Sequence, residues 1–293
     1  MSSDEGMVPS AATAATAAVL AMLLEVSATP KSGNVDREHS FEDLRYEHFL
    51  ASSASSYPVF LRAAENRGSV GQLILDAVVE TSRWHRAGNV HFGAFLLLTP
   101  LVYSWRAGRA ESIAKAAVET LKNTTVEDSL AVLKAFRLSG ARAMDVEELS
   151  LEDDSTAEEL KRERINLYDW MLLAPRENII ARELTEGYTA SLSGMKTLIE
   201  TFEEFGDVNA AIVFTYHKLL SEYIDPLVVA KHGIETAKKV RDTARKVVEA
   251  FGGNIDVFKP LDEEFVRRRI NPGTIADLTS SSIFLALIEG LRF

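Results

Sequence analysis

Glu25–Asp43 reads EVSATPKSGNVDREHSFED. On its N-terminal side runs an apolar, alanine-rich stretch from Ala11 to Val26, without the period-2 alternation of a strand. Thr29-Pro30 stops that helix, because a residue before proline is driven out of the α region. Gly33 and Asn34 extend the break, and Ser40-Phe41-Glu42-Asp43 has the form of a capping box opening a new helix. The reading is helix, polar loop, helix. A loop carrying Lys31, Asp36, Arg37 and His39 between two rigid elements is where a site tends to be built.

The same alternation continues along the chain. Ser10 is placed to cap the first helix, which reaches about Ala28. The helix from Ser40 is expected to fade in the serines Ser52–Ser56 and to restart at Tyr57-Pro58, ending at Gly68. Val70, Leu73, Ile74, Ala77, Val78 and Thr81 recur at helical spacing. Ala94–Val102 is apolar on every side and reads as a buried helix. Amphipathic helices follow over 111–121 and 126–138, the second capped by Thr124 or Thr125. Gly140–Thr156 is acidic and reads as a surface loop. Further helices are expected over 157–173, from Pro175 to about 186, and over 189–205, 209–223, 227–251, 262–269 and 275–291. Pro175 suits a first helical position. The expectation is an all-α fold of roughly a dozen helices, with residues 1–9 a flexible tail and residues 10–293 a single domain.

Composition narrows the function. Hydrophobic residues make up 46% and charged residues 26%, enough to bury one large core. A net charge of −11 argues against a nucleic-acid partner, which calls for a basic footprint. The absence of cysteine excludes disulfides, thiolate metal sites and cysteine nucleophiles. Met1–Ser10 holds Asp4 and Glu5 and no basic residue, unlike a signal peptide, and the Ala11–Val26 run is too short to span a bilayer. A cytoplasmic protein with no membrane partner is expected; a homodimer is compatible with such a helical domain.

Three loops share a character: PKSGNVD at 30–36, GNVHFG at 88–93 and NPGTIADL at 271–278. Each places Gly or Asn beside charged groups at a helix junction, where free N–H groups and the helix dipole attract phosphate. Lys31, Arg37, Arg83 and Arg86 are candidates for charge-assisted contacts to a polyphosphate. No Walker A or dinucleotide fingerprint is present.

In this order and approximate spacing, the three segments resemble the triphosphoribosyl-dephospho-CoA synthase family. That family shows P-K-P-G-x-V-D, then N-T-H-K-G or N-T-N-x-G, then a late A-D-L. Pro30, Lys31, Gly33, Val35 and Asp36 match the first motif, Asn89, His91 and Gly93 the second, and Ala276, Asp277 and Leu278 the third. Ser32 stands where the second proline is usual, and Val90 and Phe92 where Thr and Lys are usual, which is closer to the archaeal-type branch. The resemblance implies an all-α transferase that joins the triphosphoribosyl part of ATP to 3′-dephospho-CoA, or a related hydroxyl acceptor, with release of adenine.

That chemistry sets the expected roles. Displacement at the ribose C1 develops positive charge on the sugar, which a carboxylate stabilises while it activates the acceptor hydroxyl. A triphosphate brings Mg²⁺, a ligand for carboxylate oxygens. Asp36, Asp43 and His91 are the catalytic candidates, and Asp36, Asp43 and Asp277 the metal candidates. Lys31, Gly33, Asn34, Arg37, Gly88, Asn89, Gly93, Asn271 and Asp277 are expected to bind substrate. Asp43 and Asp277 each follow a Ser or Thr by three residues and also read as capping-box carboxylates. His85 and His91 lack a zinc spacing. His217 and His232 read as structural or exposed, Arg267–Arg269 as a solvated cluster or as a group reaching an anionic substrate, and Trp84, Trp105 and Trp170 as core or interface. The alternatives are another phosphoribosyl or nucleotide transfer in coenzyme biosynthesis, and a non-catalytic nucleotide-binding helical protein. Asp36→Asn is expected to abolish adenine release while leaving the helical circular-dichroism spectrum intact.

Overall fold

The last long helix is buried over most of its length, and the chain is wrapped about it. The computed structural model describes residues 10–141 and 155–293, so the predicted N-terminal tail and most of the predicted acidic loop, including Glu147–Asp154, lie outside the described residues. These residues form fifteen α-helices and two short 3-10 turns and no strand. In order, the helices are α1 (Ala11–Ser27), α2 (Tyr46–Ala64), α3 (Val70–Thr81), α4 (Phe92–Tyr103), α5 (Ala110–Lys122), α6 (Val126–Ser139), α7 (Thr156–Glu163) and α8 (Leu167–Leu172). Then come α9 (Ile179–Glu186), α10 (Thr189–Phe205), α11 (Val208–Glu222), α12 (Pro226–His232), α13 (Ile234–Val248), α14 (Lys259–Arg267) and α15 (Gly273–Ile288).

α15 is buried from Leu278 to Leu287 and packs against α1, α4, α10 and α11. α1 meets α2 and α15 through Ala14, Ala15, Ala18 and Ala21, all fully buried, whose small side chains allow close approach. α4 is buried from Phe92 to Val102. The hydroxyls along α15 need no outside partner where they bond back along the helix: Thr279 Oγ1 donates to the Ile275 carbonyl and Ser282 Oγ to that of Leu278, both at 2.8 Å.

Tertiary packing changes the local reading in several places. The helix expected at Ser40 begins at Tyr46, and Ser40 Oγ accepts the Tyr46 N–H at 3.0 Å from six residues upstream. α2 then passes unbroken through the serines and Pro58. Ser53 Oγ donates to the Phe49 carbonyl and Ser56 Oγ to that of Ser53, and the buried Ser52, Ser53 and Ser56 supply small residues at a helix contact. The helix expected over 157–173 splits because Arg164 adopts the left-handed conformation and Asn166 caps a new start. The helix expected over 227–251 splits at Gly233, which has φ +80°. Pro175 opens a turn, and Asn178 caps α9. Trp84, read as core or interface, is 71% exposed and lies outside the core.

Asp225 ties two helix starts to one point. Its Oδ1 accepts the N–H groups of Leu227 (2.8 Å) and Val228 (3.0 Å) on α12, and its Oδ2 accepts that of Ile275 on α15 (3.0 Å). Without it these buried donors are orphaned. Asp225→Ala is expected to lower stability by about 2–4 kcal/mol, read as a fall in denaturant midpoint at constant slope.

Candidate active site

The loop from Ala28 to Arg45 is fastened from two sides. Thr29 donates its N–H to Asn209 Oδ1 on α11 (3.0 Å) and accepts from Asn209 Nδ2 (2.9 Å). Tyr216 Oη donates to the Ser32 carbonyl at 3.0 Å, and Ser32 Oγ lies 2.7 Å from His217 Nε2. His217 Nδ1 is 2.7 Å from the Val213 carbonyl, so Nδ1 carries the proton and Nε2 accepts from Ser32. Burial pushes the His217 pKa down to about 3, which keeps the ring neutral. From the other side, Asp262 on α14 accepts the Gly33 N–H at 2.9 Å. Gly33 has φ +74°, and a Cβ there would strike the Ile270 carbonyl and come within 2.7 Å of Phe265 Cβ. Only glycine fits.

Inside this loop two charges are fully buried. Lys31 Nζ pairs with Glu25 at the end of α1 and donates to Asn34 Oδ1 (3.3 Å) and the Val35 carbonyl (3.2 Å), so its three protons are all engaged. Asp36 accepts the backbone N–H groups of Lys31 (3.2 Å), Glu38 (2.8 Å) and His39 (2.9 Å). Both hold the loop's shape, and neither reaches the cavity. Arg37 is exposed and also stands apart from it.

The second motif meets the first and third. His91 takes the left-handed conformation (φ +65°) at the start of α4, uncommon for a residue with a Cβ. Its Nδ1 lies 3.0 Å from Ser52 Oγ on α2, its ring packs edge-on to Phe49, and its buried Nε2 has no partner. Burial lowers the His91 pKa to about 3, and the nearby Lys31 charge adds to the effect. Asn89 Oδ1 accepts the Phe92 N–H at 3.3 Å, and Asp277 of α15 accepts that of Ala94. A Cβ on Gly93 would strike the Asp277 carboxylate, coming within 2.7 Å of its Cγ, so the glycine lets α4 and α15 meet there. Asn34 Nδ2 donates to Asn271 Oδ1 at 3.0 Å, closing the ring of loops.

The three segments enclose a cavity of about 750 Å³. Asn34, Asp43, Gly88, Asn89, His91, Asn271 and Asp277 line it; Lys31, Gly33, Asp36, Arg37 and Gly93 do not. Asp277 is partly exposed on its wall, and its carboxyl is held well above the usual range, first by burial and then by repulsion from Glu25 and Asp225. Glu25 also lines the cavity, and burial raises its pKa against the pull of Lys31. Glu25 escaped the sequence reading, although it is the sole charge between Ala11 and Ala28. Lys231, His232 and Arg269 also line the cavity, so of the two readings of Arg267–Arg269 the cavity position of Arg269 fits the one that reaches an anionic substrate. The capping-box alternative for Asp43 and Asp277 does not describe α2 or α15, whose N-caps are Arg45 and Pro272.

Comparison with known proteins decides the family. The family model described as CitG, ATP:dephospho-CoA triphosphoribosyl transferase, matches residues 11–292. The chain belongs to this family. The 2-(5″-triphosphoribosyl)-3′-dephosphocoenzyme-A synthase of Klebsiella pneumoniae is 25% identical over 285 residues, covering 91% of this chain and 87% of that one. A crystal structure from Archaeoglobus fulgidus, assigned as a triphosphoribosyl-dephospho-CoA synthase, is 47% identical with a TM-score of 0.71, covering 83% of this chain and all of the other. The chain is thus an all-α enzyme of a transferase family, and the resemblance carried by the three motifs holds over almost its whole length.

No group of three or more His, Asp or Glu among the described residues is placed to hold a metal alone. Among the groups lining the cavity are carboxylate oxygens, the hard donors that Mg²⁺ prefers. Glu42 and Asp43 line one wall without a cation partner among the described residues, which suits an ion bound by one or two carboxylates and a substrate's phosphates. No helix among the described residues is long and apolar enough to cross a membrane.

Lys31→Met leaves Glu25 buried and uncompensated, an expected loss of about 3–5 kcal/mol near neutral pH. The Glu25 pKa in the folded variant then lies above its unfolded value, so the folded state gains stability below the unfolded pKa and loses it as pH rises through the folded one. Urea unfolding should accordingly show a small deficit near about pH 4 and the full one near about pH 8.

Proposed function

We propose that this chain is a cytoplasmic, Mg²⁺-dependent transferase acting on ATP and 3′-dephospho-CoA or a closely related hydroxyl acceptor. The glycosidic bond between the ATP ribose C1 and adenine breaks, and a new bond forms from C1 to the acceptor oxygen. The acceptor proton passes to a carboxylate, and adenine leaves with the glycosidic electron pair and takes up a proton. The single observation that carries the reading is the convergence of three family motifs on one cavity that holds a carboxyl poised by its surroundings, Asp277.

Asp277 is the general base. Burial and the neighbouring Glu25 and Asp225 carboxyls raise its pKa, which makes its carboxylate a stronger proton acceptor than an ordinary one. Glu25, its charge compensated by Lys31, lines the same cavity and presents carboxyl oxygen to the sugar. His91, neutral and with an unpartnered Nε2, orients the leaving base through a hydrogen bond, and Asn89 and Asn271 offer amide contacts. Mg²⁺, when bound with the triphosphate, supplies charge neutralisation at the phosphate oxygens. Glu42 and Asp43 would hold it. Lys31, Gly33 and Asp36 act as positioning residues: they fix the loop that presents Asn34 and Glu25.

Adenine release from ATP, followed by chromatography with and without 3′-dephospho-CoA, tests the reading. Asp277→Asn is expected to lower kcat by about 10²–10⁴-fold with the circular-dichroism spectrum unchanged. In the parent enzyme the rate should fall as pH drops through a pKa above the ordinary carboxylate range, and this limb should vanish in the variant. Full activity in Asp277→Asn, or ATP binding that never yields adenine with any hydroxyl acceptor, overturns it; the second outcome favours a nucleotide-binding protein without catalysis.

A further inference from the structure

We propose that Lys231, His232 and Arg269 form a clamp for the phosphate chain of a nucleotide substrate. All three line the cavity, two from the last turn of α12 and one from the connection between α14 and α15. Neither Lys231 nor Arg269 has a carboxylate partner among the described residues, whereas the neighbouring Arg268 is paired with Glu264 at 2.8 Å. In a chain of net charge −11, these two exposed cations line one cavity and carry no ion pair of their own among the described residues.

The clamp is built, not incidental. His232 Nε2 donates to the Arg269 carbonyl at 3.1 Å and so joins the two elements. Arg269 itself is in the left-handed conformation (φ +53°), which an L-residue adopts only when its surroundings hold it there. The nearby helix start cannot do this work instead. At α15 the Ile275 N–H is already taken by Asp225, and at α4 those of Phe92 and Ala94 are taken by Asn89 and Asp277. The charged donors on the cavity are therefore the side-chain cations. A guanidinium and an ammonium suit phosphate oxygens, the first through its planar fork and the second as a point charge. Glu42 and Asp43, which also line the cavity, repel phosphate that carries no metal.

Which substrate supplies the chain, ATP with its triphosphate or the coenzyme A-type acceptor with its diphosphate, rests on the transferase reading; the clamp itself does not. The test is titration calorimetry with inorganic triphosphate, ATP and 3′-dephospho-CoA, on the wild-type chain, the Lys231→Gln/Arg269→Gln double variant and each single variant. Arg267→Gln, exposed and outside the cavity lining, is the control. Thermal melts monitor folding in every case. The double variant is expected to bind inorganic triphosphate at least about ten-fold more weakly, with each single variant intermediate and Arg267→Gln unchanged. Whichever of ATP and dephospho-CoA weakens in parallel carries the clamped chain. Unchanged affinity for all three ligands in the double variant, no saturable binding by the wild type, or an equal loss in Arg267→Gln overturns the clamp. Absence of adenine release from the wild type would end the transferase reading and leave these titrations to judge the clamp separately.

Discussion

An ammonium group with no access to water must find its own anion, and Lys31 finds Glu25. Removing two charges from water costs several kcal/mol for each ion, and their attraction offsets this only when the geometry is good and the remaining protons are bonded. Here the other two protons go to Asn34 Oδ1 and the Val35 carbonyl. The chain leaving α1 must therefore fold back over the helix end it has just left. Asp36 draws three backbone N–H groups inward and completes the turn. Everything else in the site is placed relative to this loop. Asn34, fixed by Lys31, reaches Asn271, and Gly33 lies against Ile270, so the start of α15 is in register with the end of α1.

This arrangement separates charge by depth and by wall. The carboxyls of Glu25 and Asp277 both line the cavity, and burial first, then repulsion from Glu25 and Asp225, raises the Asp277 pKa. The cations of the outer cavity come from α12 and the α14–α15 connection, its unpaired acids from the loop before α2. At the starts of α15 and α4, which the sequence suggested as phosphate sites, the N–H groups of Ile275, Phe92 and Ala94 are taken by Asp225, Asn89 and Asp277. Side chains on shared walls then do what free amides would have done.

How much of this was legible depends on how local the cause is. α10 is readable to both ends, Thr189 and Phe205, because Gly206 ends it and the periodicity between is unbroken. α3 is equally plain, with Ser69 accepting the Gln72 N–H at its start. α2 misleads because its serines are helix-weakening residues in isolation, yet here they are buried against other helices and bond back to preceding carbonyls. Gly233 and Arg164 break helices through backbone conformations that apolar spacing does not report. At the site, Lys31 and Asp36 stand out from their motif, but a motif records only that a residue matters. Whether it faces the ligand or the protein is a question of burial.

The order of residues by itself therefore determined an all-α chain, its family, and the three segments that carry the site, because helical period, helix-breaking residues and motif spacing are properties of neighbours in sequence. Tertiary structure alone decided that Glu25, Lys231 and Arg269 share a cavity with Asn89, His91 and Asp277, and that Lys31 and Asp36 stand behind its wall. The reason is physical. Solvation, charge pairing and the pKa of Asp277 depend on what surrounds a group in three dimensions, and part of those surroundings, such as Glu25 for Asp277, comes from far along the chain.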